Sequence, residues 1–374
     1  MSISPALCTI VPPHILRALA QSSDERVARA AERTLRVRVT ITGMREARAN
    51  RPRPGQPRAG GLIPPDLQAR VEETSLRRPA SLTAAPKRSV HDAQQGTTLP
   101  GTLVRGEADG PSSDESVNEA YDGLGATWSL LHDEFSRDSL DDEGLPLIAT
   151  VHYDRNFDNA YWDGEQMVFG DGDGVYFSSF TDSIDVIGHE LAHGLTQYTA
   201  GLVYVGQSGA LNESVSDVIG SMVKQRERNE TAAQADWLIG EGLFTDKVQG
   251  IALRSLKAPG TAYDDPKLGK DPQPASMDDY QDLPHDDSGD NGGVHINSGI
   301  PNHAFYRAAV ALDGNSWETV GPVWYDALTA GRLPKDADFV AFAQATVKAA
   351  SARYGDGSAQ EQAVDQAWRD VKVF

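Results

Sequence analysis

The sequence predicts an α+β protein, and three observations support this class. From about Ser89 to the middle of the chain, the residues alternate and turn as short strands do. Beyond Tyr204 the hydrophobic periodicity is mainly helical, as in residues 339–352 and 360–371. Between the two regions lies a helical segment that contains the run His189-Glu190-Leu191-Ala192-His193. Strands followed by helices are typical of an α+β arrangement.

The chain of 374 residues divides into a leader at 1–88, a β-rich region at 89–204 that includes this helix, and a helical region at 205–374. Charge supports the first boundary. The leader carries 16 Lys and Arg against 7 Asp and Glu, whereas the rest carries 18 against 47. The net charge of −20 thus combines a basic leader with an acidic body. We expect the leader to dock on its own chain, as a pro-segment would.

The leader sequence predicts a small folded element followed by a linker. Residues 12–33 predict a helix that opens with two prolines, and residues 34–42 alternate as a strand does. Residues 47–66 are rich in Arg, Pro and Gly, which favours an extended, mobile and cleavable connection. These arginines would also suit a nucleic-acid-binding arm. No aromatic stacking platform accompanies them, so we expect no nucleic-acid partner.

Composition is that of an ordinary globular protein, with 39% hydrophobic and 7% aromatic residues. No run approaches the roughly 20 apolar residues that a membrane span requires, so we expect no membrane partner. Residues 1–10 show no basic cluster followed by an apolar stretch, so a standard secretory signal is not visible. Export by another route and a cytoplasmic location both stay open. Cys8 is the single cysteine, which excludes an internal disulfide.

The two histidines of the central run predict a zinc site. Side chains four positions apart on a helix point the same way, so His189 and His193 can bind one ion, with Glu190 beside the metal. Catalytic zinc takes three protein ligands and keeps a fourth position for water. Glu213 is the best third ligand, at the start of a second helical pattern. Asp217 follows four residues later on the same face, where it can accept the outer N–H of a ligand histidine.

Other polar features carry less weight. The run Gly170-Asp171-Gly172-Asp173-Gly174 predicts a hairpin turn, with a calcium loop as the alternative. Six histidines stand outside metal-spaced clusters and predict surface or packing roles. They are His14, His91, His132, His152, His285 and His303.

Several runs resemble the thermolysin family of zinc endopeptidases, over roughly residues 100–374. They are Asn159-Ala160-Tyr161-Trp162, the Gly-Asp run at 170–174, the block from His189 to Asp217, and Asp290-Asn291-Gly292-Gly293-Val294-His295-Ile296-Asn297-Ser298-Gly299. The leader run Ile10-Val11-Pro12-Pro13-His14-Ile15-Leu16 resembles the short propeptide of the protealysin branch. The resemblance implies two lobes, one β-rich and one mainly helical, with a zinc helix at the floor of the cleft between them.

The resemblance also implies roles for residues. His189, His193 and Glu213 match the zinc ligands, and Glu190 matches the catalytic carboxylate. Tyr204 and His295 fall where the family stabilises the oxyanion, and Asp290 matches the residue that orients that histidine.

The resemblance implies that other matched positions bind the substrate. Arg254 matches the guanidinium that holds the carbonyl after the scissile bond, and Asn159 with the backbone of Ala160 matches groups that bond the substrate chain. The register implies a pocket for a large apolar side chain after the scissile bond. Its lining would be Phe177, Phe180, Val186 and Leu253, which would fit plain core packing equally well.

The chain departs from the family pattern in two places. One is the long Arg/Pro/Gly stretch at 47–66, which leaves the maturation point anywhere from about 50 to 95, and the other is a calcium site. Asp185, Asp236 and Glu241 match ligands of a paired calcium site, but Lys224 and Leu238 stand where acidic ligands belong. Since an ammonium repels the ion and removes a ligand, we expect Lys224 to replace calcium. In the leader, Cys8 is a possible latency ligand whose thiolate would occupy the open zinc position; packing of the leader alone is the alternative.

We therefore expect a zinc endopeptidase made as a self-processing zymogen, cutting protein or peptide substrates before bulky hydrophobic residues, with its own propeptide as inhibitor. A non-catalytic binding or adhesion protein on the same scaffold is the alternative, although it would not need Glu190 and His295 in those roles. A related aminopeptidase would need an acidic group for the free α-amine, and no Gly-x-Met-Glu-Asn run occurs. The family setting favours secretion.

Overall fold

A computed structural model describes residues 9–49 and 84–374 of the chain, with side chains described only to residue 37 in the first range. The leader forms two helices, α1 (Pro13–Ala20) and α2 (Glu25–Ala49). Proline suits the first turn of α1 because its fixed φ is helical and its missing N–H would have no partner there.

The strand predicted at 34–42 is wrong, because α2 continues through it. β-branched residues favour strands by no more than about 1 kcal/mol each, which tertiary contacts outweigh. Thr34 is fully buried and accepts a bond from the backbone N–H of Asp158 at 3.1 Å. Val37, one helical turn later, packs on an aromatic cluster that includes Tyr153 and Phe157. The predicted linker also overlaps this helix at residues 47–49; its remainder lies outside the described residues.

The first lobe contains a five-stranded mixed sheet. The strands are β1 (Arg88–Asp92), β2 (Thr102–Gly106), β3 (Leu147–Val151), β4 (Ala160–Trp162) and β5 (Met167–Phe169). Their order in the sheet is β2-β1-β3-β5-β4. Strand β1 pairs with β3, and β3 with β5, in parallel, whereas the two outer pairs are antiparallel. Strand β4 lies at one edge of the sheet, so its outer side is available for pairing with another segment.

This lobe also holds a helix where strands and turns alone were expected. Helix α3 (Glu115–Ser129) continues into a π-helical turn at Leu130–Glu134. Asp114 caps it by accepting the N–H of Val117. Val117, Ala120, Leu124 and Trp128 recur every three or four residues and are buried. That spacing was the signal in the sequence for this helix.

The Gly-Asp run at 170–174 is a loop after β5 and not the predicted hairpin turn. Asp173 Oδ1 accepts the backbone N–H groups of Val175, Tyr176 and Phe177, at 2.7–3.1 Å. Its carboxylate therefore orders the loop locally. The alternative of calcium binding there stays a prediction.

Two long helices form the centre of the molecule, α4 (Ile184–Tyr198) and α5 (Gly206–Arg228). They pack closely because glycines face each other at the crossing. A Cβ on Gly220 would lie 2.2 Å from the backbone oxygen of Asp185, and one on Gly188 would lie 3.0 Å from the Cα of Gly220. This close approach brings side chains of α5 against those of α4.

After α5, the chain forms two small antiparallel pairs before it becomes helical again. The strands are β6 (Leu238–Ile239), β7 (Arg254–Ser255), β8 (Asp264–Asp265) and β9 (Gly269–Lys270). The helices are α6 (Asp290–Asn297), α7 (Gly299–Leu312), α8 (Gly321–Thr329), α9 (Phe339–Tyr354) and α10 (Ala359–Asp370). The helices predicted at 339–352 and 360–371 are thus confirmed, to within two residues. The boundaries at 88 and 204 stay predictions. Within residues 9–49 and 84–374, no helix has both the length and the apolar character of a membrane span.

Candidate metal centre and substrate cleft

His189 and His193 converge from one face of α4, as their spacing predicts. Their Nε2 atoms are 3.1 Å apart and buried. Glu213, on α5, places Oε2 3.5 Å from the first nitrogen and Oε1 3.5 Å from the second. Tetrahedral zinc with bonds of about 2.0–2.1 Å holds its ligand atoms ~3.3 Å apart. The three side chains therefore fit one zinc ion.

Each histidine is oriented through its other ring nitrogen. Nδ1 of His189 donates to Asp217 Oδ1 at 2.7 Å, as the sequence predicts. Nδ1 of His193 donates to Asn212 Oδ1 at 2.8 Å, with Ser216 Oγ at 3.1 Å. These donations leave both Nε2 lone pairs facing the metal position. The roles of Asn212 and Ser216 were not predicted, although the two lie one turn apart on α5, as Glu213 and Asp217 do.

Asp217 has a second partner, Arg254 on β7. Its Oδ2 accepts from Nε at 2.9 Å and its Oδ1 from Nη2 at 2.8 Å. Asn302 of α7 also donates to Oδ2 at 2.8 Å. Burial alone would raise the pKa of Asp217, but the charge of Arg254 and the hydrogen bond from His189 hold it below its ordinary value. Asp217 is therefore ionised, and it couples a ligand histidine to a group in the cleft.

Glu190 lies beside the ligand pair. Its carboxylate and the two histidine ligand atoms all lie within 4.8 Å of one another. Oε2 accepts the backbone N–H of Trp162 on β4 at 2.9 Å, which fixes the carboxylate against the floor of the cleft. Glu190 is fully buried, so its charge acts in a medium of low polarity.

His295, Tyr204 and Asp290 meet on the far side of the metal position. Nδ1 of His295 donates to Asp290 Oδ1 at 2.7 Å, and its backbone N–H donates to Oδ2 at 2.9 Å. Nε2 lies 3.2 Å from the hydroxyl of Tyr204, which donates to Glu213. Burial would lower the pKa of His295, yet the charges of Asp290 and Glu213 raise it. Nδ1 of the ring thus faces a carboxylate, and Nε2 faces the carbonyl of Thr9 at 2.8 Å.

Backbone conformation brings Asp290 back onto His295. Gly292 and Gly293 have φ of 87° and 73°, in the left-handed region that glycine adopts without strain. A Cβ on Gly292 would also lie 3.0 Å from the backbone of Gly206. The two glycines of this run thus allow the tight turn that the triad of side chains requires.

Residues 9–11 of the leader, which precede α1, lie in the cleft. The carbonyl of Thr9 accepts from His295 Nε2 at 2.8 Å, and the carbonyl of Ile10 accepts from Arg254 Nη1 at 3.0 Å. The N–H of Ile10 donates to the carbonyl of Ala160 at 3.2 Å. The N–H of Val11 donates to Asn159 Oδ1 at 3.0 Å. Every group predicted to bond the substrate chain therefore bonds the leader.

The four residues predicted to line the pocket are all buried and belong to the same apolar core as Ile10. Two of them, Phe177 and Phe180, have ring centroids 5.5 Å apart. The other two are Val186 and Leu253. Core packing accounts for their burial as well, so their role in specificity stays a prediction.

Polar contacts hold the leader helices on the body. Arg17 donates to Asp287 Oδ2 at 3.0 Å and to the carbonyl of Ser288 at 3.2 Å. His14 Nε2 lies 2.8 Å from the hydroxyl of Tyr263, and burial lowers the pKa of His14 to about 4. His14 is thus an interface residue and neutral at pH 7. Cys8 lies outside the described residues, so its role as a zinc ligand stays a prediction.

Lys224 lies among the residues matched to the calcium ligands. Its Nζ is 2.9 Å from Asp185 Oδ2, 2.9 Å from Asp236 Oδ1 and 2.6 Å from the carbonyl of Leu238. These partners use all three donors of the ammonium. Glu241 instead pairs with Arg228 at 3.0 Å.

The chain is similar to known metallopeptidases over most of its length. Residues 72–197 match the catalytic domain of thermolysin metallopeptidases, and residues 200–373 match their alpha-helical domain. An extracellular metalloprotease of Pectobacterium carotovorum subsp. carotovorum is 46% identical over 368 residues, which are 98% of this chain and 96% of that one. Protease PrtS of Photorhabdus sp. (strain Az29) is 51% identical over 286 residues, 76% of each chain.

A solved structure is similar over the same extent. It is the precursor of protealysin, a metalloproteinase from Serratia proteamaculans, with a TM-score of 0.82 and 46% identity, covering 98% of this chain and 100% of that one. Two family models that together span both lobes, and relatives this similar over nearly the full length, show that the chain belongs to the thermolysin family of zinc metallopeptidases.

Proposed function

We propose that this metalloendopeptidase is latent as made, with its leader bound as an intramolecular inhibitor, and that it cuts proteins before bulky hydrophobic residues. One observation carries the proposal. The leader backbone at residues 9–11 takes up the hydrogen bonds of His295, Arg254, Ala160 and Asn159. A substrate cannot bond these groups while the leader does. The fully buried side chain of Ile10, which follows the carbonyl at His295, supports a preference for apolar residues there.

In the active enzyme, His189, His193 and Glu213 would hold the zinc ion. When bound, zinc supplies a Lewis acid that polarises the peptide carbonyl and lowers the pKa of water towards ~7. Glu190 takes the proton of the attacking water and then delivers it to the departing amine. Trp162 N–H orients the carboxylate for both transfers.

Other residues stabilise the charge that develops on the carbonyl oxygen. The Nε2 of His295 and the hydroxyl of Tyr204 lie 3.2 Å apart beside the metal position, and each should contribute on the order of 10² in rate once it donates to the developing oxyanion. Asp290 keeps the imidazole of His295 in place. Arg254 holds the following carbonyl, while Asp217 holds Arg254.

The test compares casein digestion and zinc content in the mature parent and in Glu190→Gln. We expect equal zinc content and a loss of activity of about 10²–10⁴, since the amide cannot accept the proton. A parent that binds zinc but cuts nothing would favour the binding or adhesion alternative. A parent that removes only N-terminal residues from peptides would favour an aminopeptidase.

We also propose that the ammonium of Lys224 takes the place of a calcium ion between Asp185 and Asp236. The observation behind this is that its ammonium has three oxygen partners at 2.6–2.9 Å, where the family pattern has acidic ligands. The positive charge of the ammonium would repel a divalent cation, and its three oxygen partners are no longer free ligands.

We infer that the enzyme acts outside the cell, as the name of the Pectobacterium relative says of that protein. A cytoplasmic location is the alternative. Fractionation of producing cells, with the protein detected by antibody in medium and cytoplasm, separates the two.

A further inference from the structure

The leader backbone is bound in a defined register. The carbonyl of Thr9, and no other described leader carbonyl, accepts from His295 Nε2. The next carbonyl, of Ile10, instead accepts from Arg254 Nη1 at 3.0 Å. The N–H of Ile10 donates to the carbonyl of Ala160, and the N–H of Val11 donates to Asn159 Oδ1; these two bonds fix the chain in this register. The segment is therefore held along the cleft by four main-chain contacts.

The position of His295 identifies the carbonyl that would be attacked. Its Nε2 lies 3.6 Å from Glu213 Oε2 and 3.2 Å from the Tyr204 hydroxyl, so it borders the metal position. Donors of this kind stabilise the oxygen on which negative charge develops. Thr9 presents its carbonyl oxygen there at 2.8 Å. The peptide bond that follows this carbonyl is Thr9–Ile10.

We propose that the enzyme cuts its own leader at Thr9–Ile10, in a step separate from the maturation cut in the linker. This inference rests on the proposed function. The water oxygen bonds to the carbonyl carbon of Thr9, the C–N bond to Ile10 breaks, and the nitrogen of Ile10 takes a proton. The products are a Thr9 carboxylate and an Ile10 amine, so the reaction needs no reactant besides water.

The cut does not release the inhibitor. Val11, Ile15, Leu16 and Leu19 are buried against the body after the cut bond. Arg17, His14 and Thr34 keep their polar contacts with the body. The trimmed leader, which begins at Ile10, therefore remains in the cleft as a bound product, and latency persists until the helices of the leader dissociate.

The test follows the full-length, zinc-loaded protein over time by intact mass and N-terminal sequencing, with casein digestion measured in parallel. We expect a species that begins at Ile10 while casein digestion is still low. The rate of its formation should not depend on protein concentration, because the cut is intramolecular. Glu190→Gln should show no such species. Ile10→Pro, which lacks the N–H bonded to Ala160, should lose the cut, whereas the matched Ile10→Val should retain it.

Two results would overturn the inference. One is a parent that matures and digests casein with Thr9–Ile10 intact throughout, in which case the proposed function stands alone. The other is an Ile10 species that forms equally in Glu190→Gln, since a foreign protease would then be responsible. If the mature form digests no casein at all, the proposed function fails instead, and the inference falls with it.

Discussion

Asp217 and Arg254 form a fully buried bidentate ion pair, with oxygen–nitrogen distances of 2.9 and 2.8 Å. The same carboxylate accepts the Nδ1–H of His189. A ligand of the metal position and the guanidinium that bonds the leader are thus held by one side chain.

Asp217→Asn should therefore lower both the affinity for zinc and the free energy of unfolding. Loss of the carboxylate partner of a ligand histidine typically lowers metal affinity 10–100-fold, and breaking a buried pair costs about 3–5 kcal/mol. Zinc affinity by chelator competition and urea unfolding measure the two effects. Asp365→Asn, which breaks an exposed pair with Arg369, is the matched control and should change neither by much. Zinc affinity equal to that of the parent would contradict the role of Asp217.

Lys224 gives a prediction about calcium. The parent should show no calcium-dependent rise in melting temperature. Lys224→Glu should acquire one, because Asp185, Asp236 and the new carboxylate then offer oxygens and repel each other without a cation. Melting curves with calcium or with chelator measure this. Lys348→Glu, on an exposed position of α9, serves as control. A large calcium effect on the parent would disprove the replacement.

His152 makes stability depend on pH. It lies between Asp171 and Asp114, at 2.7 and 2.9 Å, and hydrogen bonds to Asp171 first and then Asp114 raise its pKa from 6.5 to about 9. Since the folded pKa is the higher one, protonated His152 stabilises the fold fully below pH 6.5, and this contribution is lost as pH rises through about 9.

Urea unfolding from pH 6 to 10 measures this effect. The free energy of unfolding should fall less steeply with pH in His152→Asn than in the parent. His285→Asn, at an exposed position, should follow the parent. Parallel curves for all three proteins would show that the two carboxylates do not raise the pKa.

Latency should depend on buried leader residues more than on surface charge. Ile10→Asp places a carboxylate at a fully buried position, which costs several kcal/mol and should release the leader. We expect casein digestion to appear at least ~10-fold sooner. Arg17→Ala removes a pair whose side chains are 34% and 68% exposed, worth about 0–1 kcal/mol, and should change the time course little. Equal effects of the two variants would mean that charge, and not burial, holds the leader.

Local spacing in the sequence predicted which side chains converge at the metal position. His189 and His193 are one helical turn apart, as are Glu213 and Asp217, and helix geometry alone sends each pair to one side. The same reasoning placed the helices at 339–352 and 360–371. It failed for residues 34–42, where the β-branched pattern gave way to helix packing, and it overlooked the amphipathic spacing of α3.

The sequence by itself thus determined the class of chemistry and the existence of a basic leader on an acidic body. Only the tertiary structure decided where the leader lies: Thr9 bonds His295, 286 positions away along the chain, and Arg254 reaches both Asp217 and Ile10. The reason is physical. Periodicity follows from backbone geometry over one or two turns, whereas contacts between distant segments depend on how buried surfaces fit together, which no short stretch of sequence encodes.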